Sequence, residues 1–243
     1  LVESGAVGQR AVGFSHSRMA VGIYLAFDWM MPGQFEAFAH RKAFCERQVR
    51  KGIEIGASQV LVLGAGYDTL CWRLAPEFAG VNFFEIDHPA TARLKATGIE
   101  AMGKLPNLHL IAEDLGERQL VDVLHADRTW DSTKQTIIVA EGLLMYLPPE
   151  AARKLFQQCA AVTGFGSRIA FTYVGKRTDG RPDAGPWTWL VLWILKATGE
   201  PWLWSIQPKE LGSFLKKRNW TIAHDQKESP DRYGIELFGV AVK

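Results

Sequence analysis

Gln59-Val-Leu-Val-Leu-Gly-Ala-Gly-Tyr-Asp-Thr-Leu70 decides the fold of this chain. Four apolar residues, Val60 to Leu63, end at a glycine turn, the pattern of a strand buried on both faces of a sheet. Gly64 and Gly66 let the backbone turn tightly and let a ligand approach with no side chain in the way. Such a turn belongs at the carboxyl end of the first strand of an open, nucleotide-binding α/β sheet. The dinucleotide fingerprint G-x-G-x-x-G needs a third small residue, and Thr69 stands at that position. An acid, Asp68, lies in the turn itself. A carboxylate there repels a pyrophosphate but accepts hydrogen bonds from an ammonium. That favours S-adenosylmethionine, which carries an amine and a sulfonium and no phosphate, over NAD.

Working outward, four more strands are expected, at Val81–Ile86, Leu108–Ile111, Thr136–Ala140 and Arg168–Val174. Helices are expected between or before them. Residues 15 to 31 read as a helix stopped by Pro32-Gly33, and residues 34 to 56 as a second, with Phe35, Phe38, Cys45, Val49 and Ile53 at helical spacing. A short helix begins at Leu70 and is cut by Pro76. Another follows Asp87-His-Pro89, and Pro148-Pro149-Glu150 opens one that runs to about Val162. Residues 208 to 218 are amphipathic, and Trp220–Ala223 with Glu236–Val242 form a hairpin-like pair. Strands alternating with helices mean a largely parallel, doubly wound sheet with helices on both faces. The two successive strands at the end add one antiparallel strand, for seven in all, an arrangement that fits a methyltransferase better than a dehydrogenase.

Composition excludes several classes. A net charge of +2, with no run of five like charges, gives no footprint for nucleic acid. Three cysteines, Cys45, Cys71 and Cys159, lie far apart with no C-x-x-C pair, so neither a disulfide framework nor a metal site is expected. Cytoplasmic localisation fits that usage. The longest apolar runs, Met19–Phe27 and Trp187–Leu195, are well short of the about 20 residues of a membrane span, and the amino terminus lacks a signal-peptide profile. A soluble protein without a membrane partner is expected.

Ligands of open α/β sheets sit beyond the carboxyl ends of the strands. Four of those ends carry acids: Asp68 after the first strand, Asp87 after the second, Asp114 with Leu115 after the third, and Glu141 after the fourth. Asp87 is placed to take both hydroxyls of a ribose, and Asp114 with Leu115 to take an adenine amine and ring face. Any one of these acids alone reads as a helix cap or first-turn residue. Four at successive strand ends, beside a glycine turn, read as an adenosine-type site. Glu85 and Glu113 flank the chosen acids as alternatives.

Three spaced motifs now resemble a family. Gly64-Ala65-Gly66-Tyr67-Asp68-Thr-Leu-Cys-Trp-Arg-Leu74, Phe84-Glu-Ile-Asp-His-Pro89 and Glu141-Gly-Leu-Leu-Met-Tyr-Leu147 look like the signatures of the leucine carboxyl methyltransferase family. That group includes the protein phosphatase carboxyl methyltransferase and many bacterial O-methyltransferases. The resemblance covers residues 34 to 174. It implies the class I, Rossmann-like methyltransferase fold and a single methyltransferase domain over 1–243: amino-terminal helices (1–56), an S-adenosylmethionine-binding core (57–174), a tryptophan-rich cap or interface insertion (175–207), and a carboxyl-terminal helix with strands (208–243). It implies that Gly64, Gly66, Asp87, Asp114 and Glu141, with Ala65, Tyr67, Asp68 and Leu115 around them, contact the methyl donor. It also implies an arginine in the helix before the first strand that holds a carboxylate, and Arg41 is the best match.

On a helical wheel Arg41 lies at the edge of the apolar stripe and Lys42 near its middle, while Arg47 points away. A planar guanidinium suits a carboxylate better than an ammonium does, so Arg41 is chosen. Arg18, Tyr67 and Tyr146 are weaker candidates. Tyr146 lies within reach of the Glu141 cleft, although a tyrosine among Leu and Met also reads as core. The short amino-terminal portion departs from the family and predicts a reduced or missing lid. The segment 187–204, with Trp187, Trp189, Trp193, Trp202 and Trp204, has no counterpart in it. It reads either as an apolar wall over the acceptor site or as a pair of helices in the core or in a homodimer interface.

The function expected is S-adenosylmethionine-dependent O-methyl transfer to a carboxylate of a small molecule or peptide. A carboxylate is already ionised at neutral pH and needs alignment more than acid–base help. A hydroxyl acceptor would need a base, for which His88 is the candidate, though His88-Pro89 also reads as a turn. A non-catalytic S-adenosylmethionine-binding protein and a nicotinamide dehydrogenase are the rival classes.

Overall fold

The computed structural model describes residues 34–223 and 235–243. The helix expected at 15–31, and Arg18 with it, lie outside the described residues. Among those described, seven strands form one sheet: β1 (Gln59–Leu63), β2 (Asn82–Asp87), β3 (Leu108–Ala112), β4 (Thr136–Ala140), β5 (Arg168–Val174), β6 (Thr221–Ile222) and β7 (Glu236–Val242), in the order β3-β2-β1-β4-β5-β7-β6. The first five run parallel, with Val60 beside Phe83 on one side and beside Ile137 on the other. β7 lies antiparallel to both β5 and β6. This is the mostly parallel seven-stranded sheet with one antiparallel strand that the residue pattern predicts.

The central strands β1, β4 and β5 are buried along their length and mostly apolar because both of their faces are covered. On one face lie α1 (Gln34–Glu54) and α2 (Leu70–Leu74), where Phe44, Val49, Cys71 and Leu74 pack against Val60, Val62 and Ile137. On the other lie α4 (Leu120–His125), α5 (Pro149–Ala161) and α7 (Pro208–Lys216), where Leu124, Phe156 and Leu215 pack against Leu61, Phe84 and Ile138. Between β2 and β3 runs α3 (Pro89–Met102), which buries Lys95 against Glu85 of β2 as an ion pair of 2.5 Å. The two are 3% and 4% exposed.

Several expectations are corrected. β2 is shifted one residue, so Asp87 is its last member and not the residue after it. The helix α4 was not foreseen, since six residues are too few for a periodic signal. In α1 the buried stripe is Phe44, Cys45, Gln48 and Val49, whereas Phe38 is 47% exposed with the Arg41 guanidinium 4.8 Å over its ring. The tryptophan-rich segment holds one helix, α6 (Thr188–Ala197), and not a pair, and it does not enter the core: Thr188 is its one buried residue, and Trp189 and Trp193 are about two-thirds exposed. An extended stretch then returns to the body, where the Leu203 and Trp204 N–H groups donate to the Met145 carbonyl and Trp204 is buried.

Candidate active site

The parallel strands all deliver their carboxyl ends to the same edge of the sheet. At β1 the chain leaves through Gly64 and Gly66, with φ of +65° and +52°, a left-handed backbone that other residues adopt only with strain. A side chain at Gly64 would also press on Leu143 at 3.0 Å, while one at Gly66 would meet nothing within 4 Å. The turn is stitched to its neighbour by the Gly64 N–H donating to the Ile86 carbonyl at 2.9 Å. A second tie is the Gly66 N–H donating to Asp87 Oδ2 at 2.5 Å. Asp87 Oδ1 accepts the His88 N–H at 2.6 Å. Asp87 thus shapes the glycine turn and still faces the cleft with lone pairs to spare.

A cavity of about 850 Å³ opens beyond these ends, lined by Gly64, Asp87, His88, Asp114, Leu115 and Leu143 among others. Asp114 Oδ1 accepts the Gly116 N–H at 2.7 Å, which makes the tight turn after β3 and leaves Oδ2 outward. His88 caps α3, its Nδ1 accepting the Ala90 N–H at 3.3 Å, as the turn reading of His-Pro predicts. Its Nε2 lies 3.9 Å from Asp114 Oδ2.

A second, polar cluster forms on the α1 side of the turn. Arg41 Nε contacts Glu141 Oε1 at 2.8 Å, and its Nη1 contacts Glu236 Oε2 at 2.9 Å. Lys42 Nζ bridges Asp68 Oδ2 at 2.6 Å and Glu141 Oε1 at 2.8 Å. Asp68 Oδ1 accepts the Leu70 N–H at 3.0 Å, so this acid also starts α2. Burial alone would lower the Arg41 pKa, but Glu236 and Glu141 outweigh it and hold the guanidinium charged. Burial pushes the Asp68 carboxyl up, yet the Lys42 ammonium more than reverses this and holds it below its ordinary value. The Cys45 thiol is pushed well up by burial, with the Glu141 charge adding to the effect, and so stays protonated.

The candidate residues thus divide. Gly64, Asp87, His88, Asp114 and Leu115 meet at the cavity. Arg41, Asp68 and Glu141 meet in the polar cluster, and Ala65 and Gly66 connect the two groups through the turn. Tyr67 and Tyr146 stand outward, 43% and 38% exposed, and Tyr146 is not the core residue that its Leu and Met neighbours suggested. Leu144 and Met145, in the same 3-10 turn, take the buried positions. Of the two flanking alternatives, Glu85 is buried against Lys95, and Glu113 lines the cavity and pairs with Arg118.

Two cluster members were missed in the sequence. Lys42 was set aside in favour of Arg41, although a lysine in the middle of an apolar stripe is itself a signal, because it needs an acid partner. Glu236 gave no signal, since it meets Arg41 from 195 residues away. Among the described residues, no group of three or more His, Cys, Asp or Glu is placed to hold a metal, and no helix is long and apolar enough to cross a membrane.

Comparisons with known proteins place this geometry. A protein of Mycobacterium avium (strain 104), provisionally named an S-adenosyl-L-methionine-dependent methyltransferase, is 32% identical over 185 residues, covering 72% of this chain and 58% of the relative. A protein of the same provisional name from Mycobacterium marinum (strain ATCC BAA-535 / M) is 32% identical over 151 residues, covering 61% and 48%. The chain spans about half the length of the curated relatives it matches. Among solved structures, a provisionally named methyltransferase from Thermobifida fusca YX superposes with a TM-score of 0.65 at 19% identity, over 87% of this chain and 83% of that one, which shows a shared fold. The family model for leucine carboxyl methyltransferase matches residues 14–160, more than half of the chain. The chain belongs to the leucine carboxyl methyltransferase family.

Proposed function

We propose that the chain binds S-adenosylmethionine at the carboxyl edge of β1 to β4 and directs its methyl group to an oxygen acceptor, a carboxylate of a small molecule or peptide ahead of a hydroxyl. One observation carries this reading. The left-handed turn at Gly64 and two strand-end acids, Asp87 and Asp114, line one cavity in a chain of this family. The cavity, about 850 Å³, lies within the range of small-molecule sites, ~300–1,000 Å³. The open space at Gly66 gives a ligand close access to backbone. Asp87 has acceptor capacity left for a ribose diol, Asp114 for an adenine amine, and Leu115 and Leu143 offer apolar contact to a ring. In the polar cluster three carboxylates face two cations, which suits a ligand end bearing positive charge, with the Arg41 guanidinium beside it for a carboxylate.

Bound S-adenosylmethionine supplies a methyl group made electrophilic by its sulfonium, which leaves as a neutral thioether on transfer. What falls to this chain is orientation and the exclusion of water. A carboxylate acceptor needs no deprotonation. His88 is a poor base as it stands: with Nδ1 accepting the Ala90 N–H, the neutral imidazole carries its proton on Nε2, the nitrogen nearer Asp114. That observation favours a carboxylate over a hydroxyl acceptor. The extended stretch after α6 meets the turn of Tyr146 through the Met145 carbonyl, and its apolar Leu203 and Trp204 beside that turn support a bulky or apolar acceptor.

Calorimetry with S-adenosylmethionine and separately with NADH tests the ligand, and transfer of labelled methyl to a panel of carboxylates and alcohols tests the reaction. Micromolar binding of the first compound alone, with label on a carboxylate, is expected. Heat with NADH and none with S-adenosylmethionine would overturn the reading. Binding without turnover on any acceptor would leave a non-catalytic binding protein.

A further inference from the structure

We propose that Lys42 is a built-in occupant of the ligand's ammonium subsite: its Nζ holds the place between Asp68 and Glu141 that the α-ammonium of the bound methyl donor takes, and it withdraws when the donor enters. The inference rests on the donor-site reading above. Its ground is the geometry around one atom. Lys42 Nζ stands 2.6 Å from an oxygen of Asp68, in the turn after β1, and 2.8 Å from an oxygen of Glu141, at the end of β4. Two carboxylates from two adjacent strand ends, converging on one nitrogen, are the partners that an amino-acid ammonium seeks. Here the protein's own side chain fills them.

Lys42 and Arg41 differ in how they are held. Arg41 is fixed by two acids and lies over the Phe38 ring. Lys42 comes in on a flexible four-carbon stem and its side chain is half exposed, so it can return to water without crossing the interior. With Lys42 in place, the cluster sets two cations against Asp68, Glu141 and Glu236; with Lys42 withdrawn, Arg41 remains on Glu141 and Glu236, and Asp68 loses its ion pair with Lys42. The departure of the lysine therefore creates the charge deficit that an incoming ammonium fills. The Lys42 pKa points the same way: burial would lower it, and hydrogen bonds to Asp68 and Glu141 raise it above the ordinary value.

Such an occupant lowers apparent affinity by the fraction of molecules in which the subsite is closed. An exposed ion pair is worth a factor of about 1.5 to 5 in an equilibrium constant. Lys42→Met keeps the apolar stem and removes the competing charge. It is expected to bind S-adenosylhomocysteine, which has the same amino-acid end, about two- to five-fold more tightly than wild type by calorimetry. 5′-Methylthioadenosine lacks that end, and its affinity is expected to stay unchanged. Lys42→Gln, which keeps a polar tip, should behave as Lys42→Met does and guards against a folding defect peculiar to one variant. Weaker or unchanged binding of S-adenosylhomocysteine would overturn the inference, weaker binding meaning that Lys42 contacts the ligand directly. An equal change for both compounds would also overturn it, since the effect would then not be confined to the ammonium subsite. Should wild type bind neither compound, the donor-site reading falls and takes this inference with it.

Discussion

Lys95→Met gives the sharpest test of how the site is supported. Glu85 and Lys95 face each other across β2 and α3 at 2.5 Å, and both are almost wholly out of water. Removing the lysine leaves a carboxylate buried without its counter-charge, which costs about 3–5 kcal/mol. Solvent screening does not reduce that figure here, as it would for an exposed pair. The loss is a large share of the ~5–15 kcal/mol typical of a folded domain. Glu85→Leu with Lys95→Met removes both charges and is expected to recover stability to within about 1 kcal/mol of wild type. The assay is urea unfolding across a pH series. Burial already raises the Glu85 pKa above its ordinary 4.5, with Lys95 opposing the effect. A carboxyl whose folded pKa is raised binds its proton more readily when folded, so stability falls as pH rises from the unfolded value through the folded one. Without Lys95 that fall should deepen, and the penalty should shrink as pH drops toward 4.5. A single substitution costing under about 1 kcal/mol at neutral pH, or a double variant as unstable as the single, would refute the reasoning.

Other outcomes can be stated more briefly. Asp87→Ala should weaken S-adenosylmethionine binding by about 1–3 kcal/mol, read by calorimetry, and an unchanged affinity would mean that another acid takes the ribose. Arg41→Ala removes one ion pair from Glu141, which keeps Lys42, and one from Glu236; a lower melting temperature and weaker donor binding are expected, and indifference in binding would remove Arg41 from the site. Asp68 has a folded pKa below its ordinary 3.8, so its contribution to stability is present above 3.8 and lost as pH falls through the lower folded value. Asp68→Asn should accordingly flatten the acid limb of the stability profile, and a limb of unchanged slope would count against the Lys42 contact. Trp189→Glu with Trp193→Glu changes two outward-facing side chains of α6. It should leave the melting temperature within a few degrees of wild type and, if α6 joins two copies, convert a dimer to a monomer in sedimentation.

The parallel half of the sheet was readable because its strands are buried on both faces, which makes continuous apolar runs such as Val60–Leu63 and Thr136–Ala140. β6 and β7 are less buried and were legible from their succession along the chain. What escaped was decided by contacts distant in sequence. Phe38 falls on the apolar stripe of a bare helical wheel, yet in α1 it is Phe44, Cys45 and Val49 that pack with Val60, Val62 and Ile137 of the sheet. Tyr146 and the tryptophans of α6 are apolar by type and outward by position, and pattern alone does not distinguish the two. The acids at the strand ends were identifiable as a set from the rule that open sheets present ligand groups there. Their division between a cavity and a charge cluster was not, because it depends on α1 bringing Arg41 and Lys42 over the turn.

The place of β7 bears on the order in which the sheet is completed. Among the described residues it follows the other six strands in sequence, yet it is inserted between β5 and β6 and is not added at an edge. Its first residue, Glu236, is the acid that meets Arg41 at 2.9 Å. As the polypeptide leaves the ribosome, β1 to β5 can pair in sequence, while β6 has no neighbour until β7 arrives. Loop closure across some sixty residues between β5 and β7 is then among the late and slow events of folding. A nascent chain therefore has the glycine turn and its acids assembled before the polar cluster is whole, because Glu236 meets Arg41 only once β7 is in place.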